Sequence, residues 1–192
     1  MSKLIRLRST IARPADATAY AAGDEISNSA TPGSVVRAVF DLSGFTRGRI
    51  LAATLDVTPA SGSLVITAFD ASLMIFRTPD APAAVGDNVT NPIAAAVRTL
   101  AIGDYRFDDG GWVNQLGALT AGTSGVQKVP ATVSTGLATP VLQDAHGPGH
   151  FFDFTGQLAT QRQLTAVLNA LAAWTPTAVV NTFGITLDIE AE

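Results

Sequence analysis

The segment Asn181 to Ile189 alternates with a period of two. Phe183, Ile185, Leu187 and Ile189 are interleaved with Gly184, Thr186, Asp188 and Glu190. Successive side chains of an extended strand point to opposite faces of a sheet, so this segment has one apolar face and one mostly polar face. The apolar face must be covered by a second layer, which commits the chain to a packed β architecture.

Other segments repeat the pattern. Lys3 to Ala12 reads as a first strand, with Leu4, Arg6 and Arg8 on one side and Ile5 and Leu7 on the other. Ser34 to Ser43 reads as another, ended by Ser43-Gly44. Arg49 to Thr58 sets Ile50, Ala52, Thr54 and Asp56 against Leu51, Ala53, Leu55 and Val57. Pro59-Ala60-Ser61-Gly62 then reads as a turn and Ser63 to Asp70 as the returning strand of a hairpin. Leu73 to Phe76, Arg98 to Ile102, Tyr105 to Phe107, Val126 to Ser134 and His150 to Phe154 are further strands by the same signals. Many short strands with recurring turns predict an all-β fold, a β-sandwich or jelly-roll-like barrel. Four stretches rich in Gly, Pro, Asp and Asn read as long loops: Ala21 to Gly33, Arg77 to Pro92, Asp108 to Gly125 and Leu137 to Gly149. Gln161 to Trp174 departs from the pattern. Leu164, Val167, Leu168, Leu171 and Trp174 fall at helical spacing, which predicts one short helix stopped by Pro176. The expected organisation is a basic arm or first strand over residues 1–15, then a single β-sandwich domain over residues 16–192.

At 192 residues about 70% of the unfolded chain's surface can be buried, so a core needs no disulfide or metal. Only 15% of residues are charged, while 47% are hydrophobic, much of that alanine. A surface so poor in charge suits contact with other subunits. The chain has no cysteine, which excludes disulfides and thiolate chemistry. It has no run of about 18 apolar residues, so no membrane partner is expected. The amino terminus lacks the apolar stretch of a signal peptide, which points to synthesis in the cytoplasm. A net charge of −4 argues against nucleic acid as a partner.

The search for chemistry finds no reactive constellation, and the expectation is a protein that is not an enzyme and uses no cofactor. His146 and His150 flank Gly147-Pro148-Gly149, with Asp144 and Asp153 close by. The breakers preclude the helical geometry a His pair needs to bind a metal, so the expectation is a turn with two exposed or hydrogen-bonding histidines. Asp104, Asp108 and Asp109 precede Gly110-Gly111 without the closing glutamate of a calcium loop, and read as turn caps. There is no nucleophile elbow or phosphate loop. A sugar-binding sandwich would need exposed aromatics, for which Trp112 is the best candidate among Trp112, Trp174, Tyr20 and Tyr105. Charge is distributed unevenly. Lys3, Arg6, Arg8 and Arg13 precede the first acid, Asp16, so the remaining eight lysines and arginines stand against sixteen aspartates and glutamates. A basic segment on an acidic body can meet an acidic neighbour, or simply face water. Lys3, Arg6, Arg8, Arg13 and Trp112 are therefore the candidate partner contacts.

Three stretches carry a resemblance. Thr18-Ala19-Tyr20-Ala21-Ala22-Gly23-Asp24-Glu25-Ile26 is the first. Phe76-Arg77-Thr78-Pro79 with Gly86-Asp87-Asn88-Val89-Thr90-Asn91-Pro92 is the second, and Trp174-Thr175-Pro176-Thr177 with Thr182 to Ile189 the third. In order and spacing they resemble virion structural proteins of tailed phages, in particular capsid decoration (cement) proteins. The resemblance implies a β-sandwich or jelly-roll subunit, often trimeric, that sits on the virion and clamps neighbouring copies of the major capsid protein. Another virion part, such as a tail, baseplate or spike-base subunit, is similar enough to stay open, as does a carbohydrate-binding sandwich.

Overall fold

The computed structural model describes residues 2–59, 69–91, 93, 95–107, 113–114, 125–130, 150–176, 178 and 180–192. They form a sandwich of two antiparallel sheets. In sheet one, β12 (Asn181–Ala191) lies between β1 (Lys3–Arg13) and β4 (Arg47–Pro59). The far edge of β4 takes β10 (His150–Asp153) beside Arg47–Ile50 and β9 (Gly125–Pro130) beside Ala52–Val57, with β8 (Val113–Asn114) outermost. In sheet two, β11 (Gln163–Ala170) is central. On one side it pairs with β5 (Ala71–Arg77), which carries β7 (Gly103–Phe107). On the other it pairs with β3 (Ala38–Asp41) and β2 (Asp24–Glu25), and β2 carries β6 (Val89–Thr90). The all-β sandwich expected from the alternation is the observed class.

The core lies between the sheets. Phe183, Ile185, Leu187 and Ile189 of β12 and Ala53, Leu55 and Val57 of β4 pack with Leu73, Ile75, Leu164, Ala166 and Leu168. The polar set of β12 faces outward, as its alternation predicts. Strand β4 is less regular. Asp188 lies opposite Ala52 and Ile189 opposite Ile50, so Leu51 has no opposite number. This bulge reverses the phase, and Ile50 is buried with Ala53, Leu55 and Val57 rather than sharing the face of Ala52, Thr54 and Asp56.

The helix expected over Gln161 to Trp174 is absent; its centre is strand β11. The reason is burial on both faces. Leu164, Ala166, Leu168 and Ala170 face the main core, while Val167 joins Met74, Phe76 and Ile93 in a second cluster on the outer side of sheet two. A strand covered on both sides has no polar face, so its leucines and valine fall at spacings that also fit a helix. Arg98 to Ile102 is corrected the other way. The short helix α1 (Ala95–Arg98) runs into a turn closed by Leu100 N–H to Val97 O (3.0 Å) and Ala101 N–H to Arg98 O (3.1 Å). That local coiling lays Val97 and Ala101 on the second cluster, which a strand here would not do. The strand expected over Ser34 to Ser43 is confined to Ala38–Asp41, behind a 3-10 turn at Pro32–Ser34. The loops Ala21 to Gly33 and Arg77 to Pro92 contribute β2 and β6, which pair with each other. The hairpin turn after Pro59 and most of its returning strand, the end of Val126 to Ser134, nearly all of the loop Asp108 to Gly125 and the loop Leu137 to Gly149 lie outside the described residues. Among the described residues no helix is long and apolar enough to cross a membrane.

Thr165 separates the two readings of β11. On a helix it would share the polar side, whereas here it is buried and its hydroxyl lies 3.0 Å from that of Thr78. Thr165→Glu is expected to cost about 3 kcal/mol or more in chemical denaturation. Thr186→Glu, on the open face of β12, should change stability by about 0.5 kcal/mol or less.

Candidate interaction surface and the buried network behind it

The outer face of sheet one follows from β-strand register. Leu4 lies opposite Glu190, Glu190 opposite Arg49, and Arg49 opposite Phe151. Arg49 Nη2 is 2.6 Å from Glu190 Oε2, and Arg6 Nε is 2.6 Å from Asp188 Oδ1. Arg8 reaches further. It lies opposite Thr186 yet grips Asp56 on β4 with two bonds, of 2.7 and 2.8 Å, passing over β12. Gly184 leaves the gap for this crossing, since a Cβ there would collide with the Arg8 guanidinium and the Asp56 carboxylate. Asp188 raises the Arg6 guanidinium above its ordinary value by hydrogen bond and charge, and Arg49 foremost holds Glu190 below the usual carboxylate range. Solvent screens pairs this exposed, so they add little to stability. Among the described residues, they neutralise Arg6, Arg8 and Arg49 within the chain.

Behind one end of this face lies a buried polar network. Arg13, the last residue of β1, is fully buried. Its Nε donates to Tyr20 Oη (2.8 Å), and its Nη2 donates to the Asp16 carbonyl (2.6 Å) and Oδ1 (2.9 Å). Tyr20 in turn donates to Asp87 Oδ1 (2.6 Å), which also accepts the Ser27 amide (2.9 Å). Tyr20 stacks on Trp174 at 5.2 Å and exchanges two backbone bonds with it, of 2.7 and 3.2 Å. Phe69 stacks on Trp174 at 4.3 Å, and the Arg13 guanidinium lies 5.5 and 6.0 Å from the Tyr20 and Trp174 rings. Burial raises the Asp87 carboxyl against the opposing effect of the Tyr20 and Ser27 bonds, and burial, then Asp87, pushes the Tyr20 phenol up. Nearby, Glu25 accepts two bonds from Arg37, each 2.8 Å, and one from Asn91 Nδ2, also 2.8 Å. Asp24 accepts from Thr90 (2.7 Å) and the Ala21 amide (2.7 Å). The three stretches that carry the resemblance thus converge on one clamp.

Of the candidate partner contacts, Lys3 is exposed at the start of β1, and Arg6 and Arg8 lie on the outer face. The acids that Arg6 and Arg8 meet belong to their own chain. Arg13 is turned inward, and Trp112 lies outside the described residues. His150 does not sit in an exposed turn: it lies in β10, buried, edge-on to Tyr105 at 5.0 Å, with no partner for Nε2. Burial lowers its pKa, against opposing effects from Asp104 and the Ile102 backbone. Asp104 accepts from Ser72 (2.6 Å), and Asp153 caps the Thr155 amide (2.7 Å). His146, Asp108, Asp109 and Asp144 lie outside the described residues, among which no three His, Asp or Glu are placed to hold a metal. Tyr20, Tyr105 and Trp174 are buried and offer no platform for a sugar. Asp56, Asp188, Gly184 and Asp87 escaped the sequence reading. Asp56 and Asp188 sit on the polar faces of their strands, which was the available signal. Nothing in the linear order links Arg8 with a residue 48 positions away or Tyr20 with one 67 away.

No family model matches the chain, and no curated protein matches its sequence. Among solved structures it is similar to the capsid protein of beak and feather disease virus in its 60-mer form. That likeness has 10% identity, covers 100% of this chain and 94% of that one, and has a TM-score of 0.41. It is also similar to the nodavirus particle of the giant freshwater prawn Macrobrachium rosenbergii, at 10% identity, 100% and 93% coverage and a TM-score of 0.34. For turnip yellow mosaic virus the values are 14% identity, 100% and 93% coverage and a TM-score of 0.28. The two-sheet architecture itself is read from this chain's own strand pairings.

Replacing Arg13 with Met leaves Asp87 buried without its cation and is expected to destabilise the fold by about 3 kcal/mol. Adding Asp87→Asn should recover part of that loss in a double-mutant cycle. His150 gives a second test. Its folded pKa lies below the unfolded value of about 6.5, so the stability it contributes is complete above that pH and is lost as pH falls below it. The urea midpoint should fall less between pH 7.5 and 5 (~2.5 units, spanning that pKa) in His150→Asn than in the unsubstituted chain.

Proposed function

We propose that this chain is a virion structural subunit, a capsid decoration (cement) protein of a tailed phage, and that it clamps copies of the major capsid protein. The observation that carries this reading is the convergence of the resemblance on the Arg13–Tyr20–Asp87–Trp174 clamp. A scaffold that holds loop ends in place is what such a role calls for. A cement protein acts by mass action, stabilising only the assembled lattice it binds. Many weak contacts on a symmetric shell add avidity, so an ion-paired sheet face with modest individual contacts suffices. The cellular location implied is the virion, after synthesis in the host cytoplasm, with self-association into a homo-oligomer. A tail, baseplate or spike-base role shares the same physics and differs in the lattice bound.

The test is co-sedimentation of the purified chain with expanded phage heads. Binding, with a raised melting temperature of the heads, is expected; failure to co-sediment contradicts the reading. Lys3→Ala, at the exposed start of β1, should reduce the bound fraction, and more at low salt than at high salt, because exposed charges are screened. Unchanged binding would remove the basic strand from the contact.

A further inference from the structure

Strand β1 has an unguarded edge. It runs eleven residues in unbroken register with β12, from Lys3 opposite Ala191 to Arg13 opposite Asn181. Among the described residues no strand pairs its other edge; β3 packs near it from sheet two without pairing. Proteins blunt exposed edges with shortness, proline, bulges or outward charges. The other outer strands are short: β6 and β8 have two residues, β3 and β10 four, β7 five. β1 has neither shortness, proline nor bulge. Of its charges, Lys3 stands exposed at the strand's first residue alone, and Arg6 and Arg8 are drawn across the sheet, away from the edge, by Asp188 and Asp56.

We propose that this edge pairs with the same edge of a second copy of the chain, antiparallel about a two-fold axis, so that sheet one continues across the dimer. The sequence of β1 is compatible with itself in this arrangement. With the axis at Leu7, Ile5 meets Ser9 and Leu4 meets Thr10, each on matching faces, and half-buried Leu7 meets its copy. Arg6 meets Arg8, but each guanidinium already has its carboxylate, which removes the like-charge penalty such a register would otherwise carry. Main-chain hydrogen bonds supply the affinity, as in other strand additions, and the contact is isologous. This pairing goes beyond the capsid role and does not depend on it.

Sedimentation equilibrium of the unsubstituted chain across the micromolar range should give a dimer, or a larger assembly built from dimers. The chain has no cysteine, so single cysteines report geometry. Leu7→Cys should form a disulfide-linked dimer at least about tenfold faster than Leu100→Cys, an exposed site in the turn that covers the outer side of sheet two. If Leu7→Cys does not fold, a mixture of Ile5→Cys and Ser9→Cys should cross-link as a heterodimer. A monomer throughout the range, or cross-linking at the edge no faster than at Leu100, overturns the proposal. A monomer that still co-sediments with heads would sink only the pairing, and a dimer that does not would sink only the capsid role.

Discussion

A guanidinium removed from water is costly unless charge and hydrogen bonds surround it, and the placing of Arg13 organises much of this molecule. Its donors go to Tyr20 and Asp16, its charge faces Asp87, and its flat surface lies by the rings of Tyr20 and Trp174. These groups come from the end of β1, from the loops that follow β1 and precede β6, and from the link between β11 and β12. Nη1 of Arg13 is left buried without a partner, so the pairing is incomplete, yet the bonds from Nε and Nη2 still tie sheet one to the loops that edge sheet two. The Glu25–Arg37–Asn91 contacts repeat the device at β2. Loops held in this way can present a fixed surface without a large apolar core of their own.

On the outer face of sheet one the same economy of charge has another consequence. Arg6, Arg8 and Arg49 are each paired across strands, and Gly184 provides the low point over which Arg8 crosses. Arginines neutralised in this way present little net charge to a neighbour at those positions. The pairing also draws positive charge away from the rim where β1 ends the sheet. A low charged fraction, an ion-paired face and a long edge strand are thus connected features rather than separate ones.

How much of this was legible in the sequence depends on whether a residue's environment is set locally. β12 and β1 have one wet and one dry face, so their period of two shows directly, and the sandwich class followed from them. β11 is dry on both faces, and the alternation that would mark it as a strand is erased; its Leu164, Val167 and Leu168 fit a helix equally well. α1 was hidden for the opposite reason, because a single turn of helix is too short to show a period. The extra residue Leu51 reversed the phase of β4 halfway along, which no window on one strand reveals. The basic character of the first strand was visible, but its internal partners were not, since ion pairs across strands depend on register. The resemblance picked out Tyr20, Asp87 and Trp174 without indicating that they touch.

The account rests most heavily on Arg13 being held inside the clamp, and the exchange of its Nε–H with solvent measures that directly. Proton-exchange NMR on the arginine side chains should show the Arg13 Nε–H strongly protected relative to that of exposed Arg6, with a through-space contact to the Tyr20 ring. An Arg13 Nε–H that exchanges as fast as that of Arg6 would contradict the account.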